Sequence, residues 1–162
     1  MGSLMMAADP AVEGEEAQDM SSDDPVKLTQ RFYIEVRERA IRGLPREEDW
    51  NVLKSFMTPE LAATIEKAQA VQAATPAGDK PPWIEGDLFS SNFEGADSQR
   101  TGALTLEGDK AKVELHMTYT EGSHTVTWTD ALVLKKTDAG WRVDDLVFKD
   151  KQKLSDALKA EP

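Results

Sequence analysis

Three turn signals divide the last third of the 162-residue chain and lock it into one register. Gly108-Asp109, Gly122-Ser123 and Thr137-Asp138-Ala139-Gly140 each interrupt a run of strand-forming residues. A two-residue turn with Gly first favours a type II′ hairpin. A tip at Gly122-Ser123 therefore sets Met117 opposite Trp128, Leu115 opposite Asp130 and Tyr119 opposite Val126. The Gly108-Asp109 tip sets Leu106 beside Ala111 and Leu104 beside Val113, and the four-residue turn sets Leu134 beside Val143 and Asp130 beside Val147. Four antiparallel strands are predicted, near 99–107, 111–121, 124–136 and 140–148.

Side chains alternate between the faces of a strand with period two. One face of this meander then gathers Leu104, Leu106, Val113, Leu115, Met117, Tyr119, Val126, Trp128, Leu132, Leu134, Trp141, Val143 and Val147. Asp130 and Asp145 fall on that same apolar face as diagonal neighbours, a conflict that makes them the first candidates for function.

The residues before the meander read as helices. Asp24-Pro25 is an N-cap followed by a proline at the first helical position, opening a helix over 25–42 with Leu28, Phe32, Val36 and Ala40 along one stripe and Gly43 as its stop. Pro45 opens a short second helix with Trp50, Leu53 and Met57 inward. Thr58-Pro59-Glu60 repeats the cap signal for a helix to about residue 74, with Leu61, Ile65 and Ala68 apolar. Residues 75–82 form a loop, and 83–95 are irregular and aromatic. Asp150 caps a closing helix from Lys151 to Lys159. Helices followed by an antiparallel meander imply an α+β fold: N-terminal helices packed on a curved four-stranded sheet.

Charge separates the ends of the chain. Residues 1–24 carry seven acids and no Lys or Arg. Of the net charge of −11, removing those seven leaves about −4 for the rest. The expected organisation is an acidic disordered tail over 1–24, opening on a Met-Gly-Ser-Leu-Met-Met stretch that reads as an appended start, and a single domain over 25–160. With no basic stripe, nucleic acid is not an expected partner. The absence of cysteine excludes disulfides, thiolate metal ligation and a cysteine nucleophile. No apolar run reaches membrane-spanning length, and no basic segment followed by an apolar stretch marks an export signal.

The chain carries no recognisable catalytic motif. GxGxxG, P-loop and GxSxG patterns are absent, and His116 and His124 lie on opposite faces with no metal-ligand spacing. Two nearby carboxylates in a poorly solvated pocket, Asp130 and Asp145, could have one pKa raised for acid–base work. The plainer expectation is that they accept hydrogen bonds from indoles and backbone amides. Arg142 and Asp144 read as a solvated pair on the other face. The stretch Trp83–Phe93 is either a lid for the open end of the sheet or a binding loop. In the second case Trp83, Glu85, Asp87 and Phe89 carry the contact, with the hairpin tip Glu121 and His124 as a second surface. No metal or cofactor is expected.

Phe32-Tyr33, Trp83-x-x-Gly86-Asp87-x-Phe89, Trp128-x-Asp130 and Trp141-x-Val143-Asp144-Asp145 together resemble a family of small bacterial envelope proteins, domain-of-unknown-function family 3828, over residues 25–148. That resemblance implies a cone-like, nuclear-transport-factor-2-like fold and a periplasmic location. The family includes proteins similar to the immunity partners of type VI secretion amidases. The implied function is therefore a binding protein, not an enzyme, that covers the active-site groove of a secreted peptidoglycan hydrolase. The alternative is a small-molecule or enzymatic pocket around Asp130 and Asp145. Homo-oligomerisation is left open.

Overall fold

The structure, a computed structural model, describes residues 23–159. The predicted acidic tail up to residue 22 and the last three residues lie outside them. The described chain is α+β: three helices, a four-stranded antiparallel meander and a closing helix.

Helix α1 spans Pro25–Glu38. Asp24 caps it as expected, accepting from the amides of Val26 at 2.8 Å and Lys27 at 3.3 Å. Leu28, Phe32, Tyr33 and Val36 form its buried stripe. The helix ends before Gly43, because Ala40 turns left-handed at φ +49°. The Ile41 amide then bonds back to the Val36 carbonyl at 3.3 Å and the Ala40 amide to Arg37 at 3.1 Å. These two bonds are the Schellman closure, with alanine where glycine is usual.

Helix α2 is Glu47–Lys54, burying Trp50 and Leu53, and α3 is Pro59–Ala73. Thr58 joins α3 to the sheet. Its hydroxyl accepts from the Leu61 amide at 3.2 Å and donates to Asp144 Oδ1 at 2.8 Å, and its amide bonds to the Val143 carbonyl at 2.9 Å.

The strands are β1 (Ser98–Glu107), β2 (Lys110–Glu121), β3 (His124–Thr137) and β4 (Gly140–Val147), in the order β1-β2-β3-β4. The first two hairpins have the expected register, including Met117 opposite Trp128, Leu115 opposite Asp130 and Leu106 opposite Ala111. Gly108 and Gly122 have positive φ, +63° and +62°, whereas Asp109 and Ser123 do not, as a type II′ turn requires.

The third hairpin departs from expectation halfway along. Leu134 pairs with Val143, but Val133 then pairs with Asp145, so Asp144 is an extra residue on β4. A bulge of one residue flips every side chain beyond it. Ala131, not Asp130, therefore lies opposite Val147, and Leu146 turns inward against Leu132, each 1% exposed. Asp145 leaves the apolar face. Among the described residues Arg142 and Asp144 form no ion pair: Asp144 is held by Thr58, and Arg142 Nη1 donates to the Trp141 carbonyl at 2.7 Å.

Phe32 is fully buried and centres the core, edge-on to Tyr33, Phe56 and Phe89 with ring centroids 5.2–5.9 Å away. The described helices cover only part of the expected apolar face. A 14-residue strand such as β3 extends about 46 Å, against about 21 Å for a 14-residue helix such as α1. Leu104, Leu106 and Val126 remain exposed, and Tyr119 and Trp128 are half-buried at the margin.

The closing helix α4 is Leu154–Lys159, three residues later than Asp150 suggests. Asp150 caps only the turn before it, accepting from the Gln152 amide at 3.0 Å. The first turn of α4 is held from β4 by Asp145, which accepts from the Ser155 amide at 3.0 Å and the Ser155 hydroxyl at 2.6 Å.

Candidate functional site

The irregular segment after α3 is fastened from below. The Gly43 amide donates to the Gly86 carbonyl at 2.7 Å, and the Leu44 amide to the Trp83 carbonyl at 2.9 Å. Gly43, at φ +69°, is required there, since a Cβ would overlap the Trp83 carbonyl oxygen. Further along, Asp87 Oδ1 accepts from the Phe89 amide at 2.9 Å, and Tyr33 donates its hydroxyl to the Phe89 carbonyl at 2.9 Å. Asp130, 2% exposed, accepts from the Ser91 amide at 2.9 Å, the Trp128 indole at 3.0 Å and the Ser91 hydroxyl. The Ser91 hydroxyl in turn accepts from the Lys149 amide at 3.0 Å.

The predicted site residues are thus divided. Phe89 is a core aromatic, 2% exposed, and Trp83 packs half-buried against the core, so neither is a free anchor. Asp87 is half-buried and spent on the Phe89 amide. Glu85 is exposed and pairs with Lys80 at 2.6 Å. The apolar side chains that do reach solvent are Ile84, 41% exposed, and Phe93, 57% exposed, with Arg42 stacked 5.9 Å from the Phe93 ring centre. Glu121 and His124 face each other at the exposed hairpin tip.

The acidic pair expected at Asp130 and Asp145 does not exist, because the β4 bulge removes Asp145 to α4. Asp87 takes its place as the carboxylate whose charge and that of Asp130 both reach Tyr33. Burial raises the Tyr33 phenol well above its ordinary value, and the charges of Asp87 and then Asp130 raise it further. Burial likewise raises the Asp87 carboxyl, with the Asp130 charge adding. Hydrogen bonds from Phe89 and Ser90 and the Arg42 charge act in the opposite sense. Every Asp130 oxygen already has a donor, which makes the residue a clamp between β3 and the loop.

A cleft of about 590 Å³ lies elsewhere, between α1 and β1. Tyr33 and Leu115 form its floor, with Gln30 and Arg37 from α1 and Gln99 and Thr101 from β1 as walls. Neither Asp130 nor Asp145 lines it. Sequence periodicity marks Leu115 as buried but gives no sign of the cleft, which is a gap between elements. Among the described residues no group of three acids or histidines could hold a metal, and no helix is long and apolar enough to cross a membrane.

No protein-family model matches this sequence, and neither a curated protein nor a solved structure shows significant similarity to it.

Proposed function

We propose that this protein acts by binding another protein, and that its partner is a secreted peptidoglycan amidase whose groove it covers, the role of a periplasmic immunity protein. The observation that supports the reading best is the pairing of exposed Ile84 and Phe93 with a backbone fixed from beneath by Asp130, Asp87 and Gly43. Apolar anchors on a pre-organised loop lose little entropy on binding and supply most interface energy. Glu85 and Glu94 beside them would steer a basic rim. The resemblance in Phe32-Tyr33, Trp83-x-x-Gly86-Asp87 and Trp128-x-Asp130 supplies the amidase. Helices on one face of the four-stranded meander are compatible with the cone-like, nuclear-transport-factor-2-like fold that this resemblance implies.

A second reading, a small-molecule site, is favoured by the cleft volume, which falls within the usual range of about 300–1,000 Å³ for ligand pockets. It moves the alternative from Asp130 and Asp145 to Tyr33, Arg37 and Gln99.

Titration of the purified protein against the amidase encoded beside it, with lysis protection as readout, tests the first reading. Phe93→Ala and Ile84→Ala are each expected to weaken binding by about 1–2 kcal/mol. If no hydrolase is bound or inhibited at micromolar concentration, the immunity reading fails. If one is bound and both variants bind equally well, the contact lies elsewhere, with Glu121 and His124 next.

A further inference from the structure

The outer edge of β1 is open. No backbone hydrogen bond reaches it from any described residue beyond the sheet, and β1 ends the strand order. An antiparallel strand paired on one side turns half of its amides and carbonyls away from its partner, and an extended chain can pair with them. The cleft between α1 and β1 runs beside this edge, lined by Ser98, Gln99 and Thr101. Gln30 bridges it weakly, its Nε2 3.3 Å from Thr101 Oγ1.

We propose that Ser98–Thr101 takes a short, extended, acidic segment of a partner protein as an added strand, with alternate side chains entering the cleft. Charge supplies the preference. Arg37 lines the cleft, and neither it nor Arg100 has an ion-pair partner among the described residues, in a protein of net charge −11. Arg100 alternates with the cleft-lining Gln99 and Thr101 and so faces the other side of the sheet. An added strand presents successive side chains to the two faces in turn. One acid in the cleft and the next residue, also acidic, on the far face would meet Arg37 and Arg100. Asp97, the acid at one end of the cleft, is occupied by the Thr120 amide at 2.5 Å.

The bulge favours a short peptide over a second copy of this chain. Register on β1 shifts between Thr101 and Leu104. Such a bulge breaks an edge ladder and discourages long pairing between identical strands. That leaves about four residues of regular edge on either side of it, and only Ser98–Thr101 borders the cleft.

This inference stands apart from the amidase reading, which uses the Ile84–Phe93 surface. The test uses the full chain, isotope-labelled, and a synthetic octapeptide of alternating Thr and Val with two adjacent central Glu residues. Its controls are the same peptide with Lys for Glu and a copy N-methylated along the backbone. The Glu peptide should slow amide exchange within Ser98–Thr101. The Lys peptide and Arg37→Glu protein should each bind about tenfold more weakly, the loss expected for one charge-assisted contact. Arg37 is exposed, so that variant should keep the parent circular dichroism spectrum. The proposal is overturned if the methylated peptide binds as well, or if shifts fall only on Ile84–Phe93. It is equally overturned if the edge is protected without peptide in a manner abolished by Leu106→Lys, as for a second copy. Binding that appears only after residues 1–22 are removed would make the chain's own N-terminal segment the occupant and overturn it too.

Discussion

Among the described residues the sheet is closed at β4 and open at β1. The Val143 amide donates to the Phe56 carbonyl at 2.7 Å and its carbonyl accepts from Thr58, while Val147 bridges Lys153. Each contact satisfies a backbone group and at the same time fastens a helix to the sheet. Among the described residues β1 has no such cover, and Leu104 and Leu106 lie exposed along it. The cost of an open edge is low in water, because water satisfies its amides and carbonyls. The covered edge therefore carries stability, and the open one is where new pairing can be added without unfolding anything.

Two leucines on the same sheet should differ most. Leu146→Ala, at a fully buried site, should cost about 2–5 kcal/mol in urea unfolding. Leu106→Ala, 58% exposed, should shift stability by no more than about 0.5 kcal/mol. Equal effects would mean that the β1 edge is covered in solution. A smaller change sharpens the contrast at β4 itself. Asp145→Ala removes the side chain holding the first turn of α4 and should cost about 0.5–2 kcal/mol. Amide exchange at Val147 should quicken with it, while exchange along β1 stays as it was.

The smallest effect belongs to the loop between the two edges, and it has the opposite sign. The folded pKa of Asp87 is raised, chiefly by burial, so its contribution favours the folded state below the ordinary carboxylate pKa and is lost as pH rises through the folded value. Asp87→Asn keeps an oxygen for the Phe89 amide without a charge to bury. It should raise the thermal midpoint slightly at neutral pH, and the gain should vanish in acid. A gain that grows on acidification would show that the carboxylate is stabilised in the folded state.

What could be read from the sequence follows from periodicity. Gly108 and Gly122 fix two hairpin registers because turn type and a period of two constrain the same residues. The third register fails at Asp144, since a bulge leaves only a faint mark, the spacing of Val143 and Leu146 across two acids. The burial of Asp130 is legible from its place opposite Leu115. Its partner Ser91 and its charged neighbour Asp87 are not, because the segment holding them has no period. For the same reason Phe89, read as a binding residue, belongs to the core, whereas Phe93 four residues on is the exposed ring.

Thr58 has a consequence beyond the capping of α3. Its hydroxyl, amide and carbonyl are all engaged, to Asp144 and Leu61, to Val143 and to Ala62. The first turn of α3 cannot fray without stripping the edge of β4. The start of this helix and the sheet are thereby one cooperative unit, and the low-stability openings of this protein should begin elsewhere, at the hairpin tips that no described helix covers.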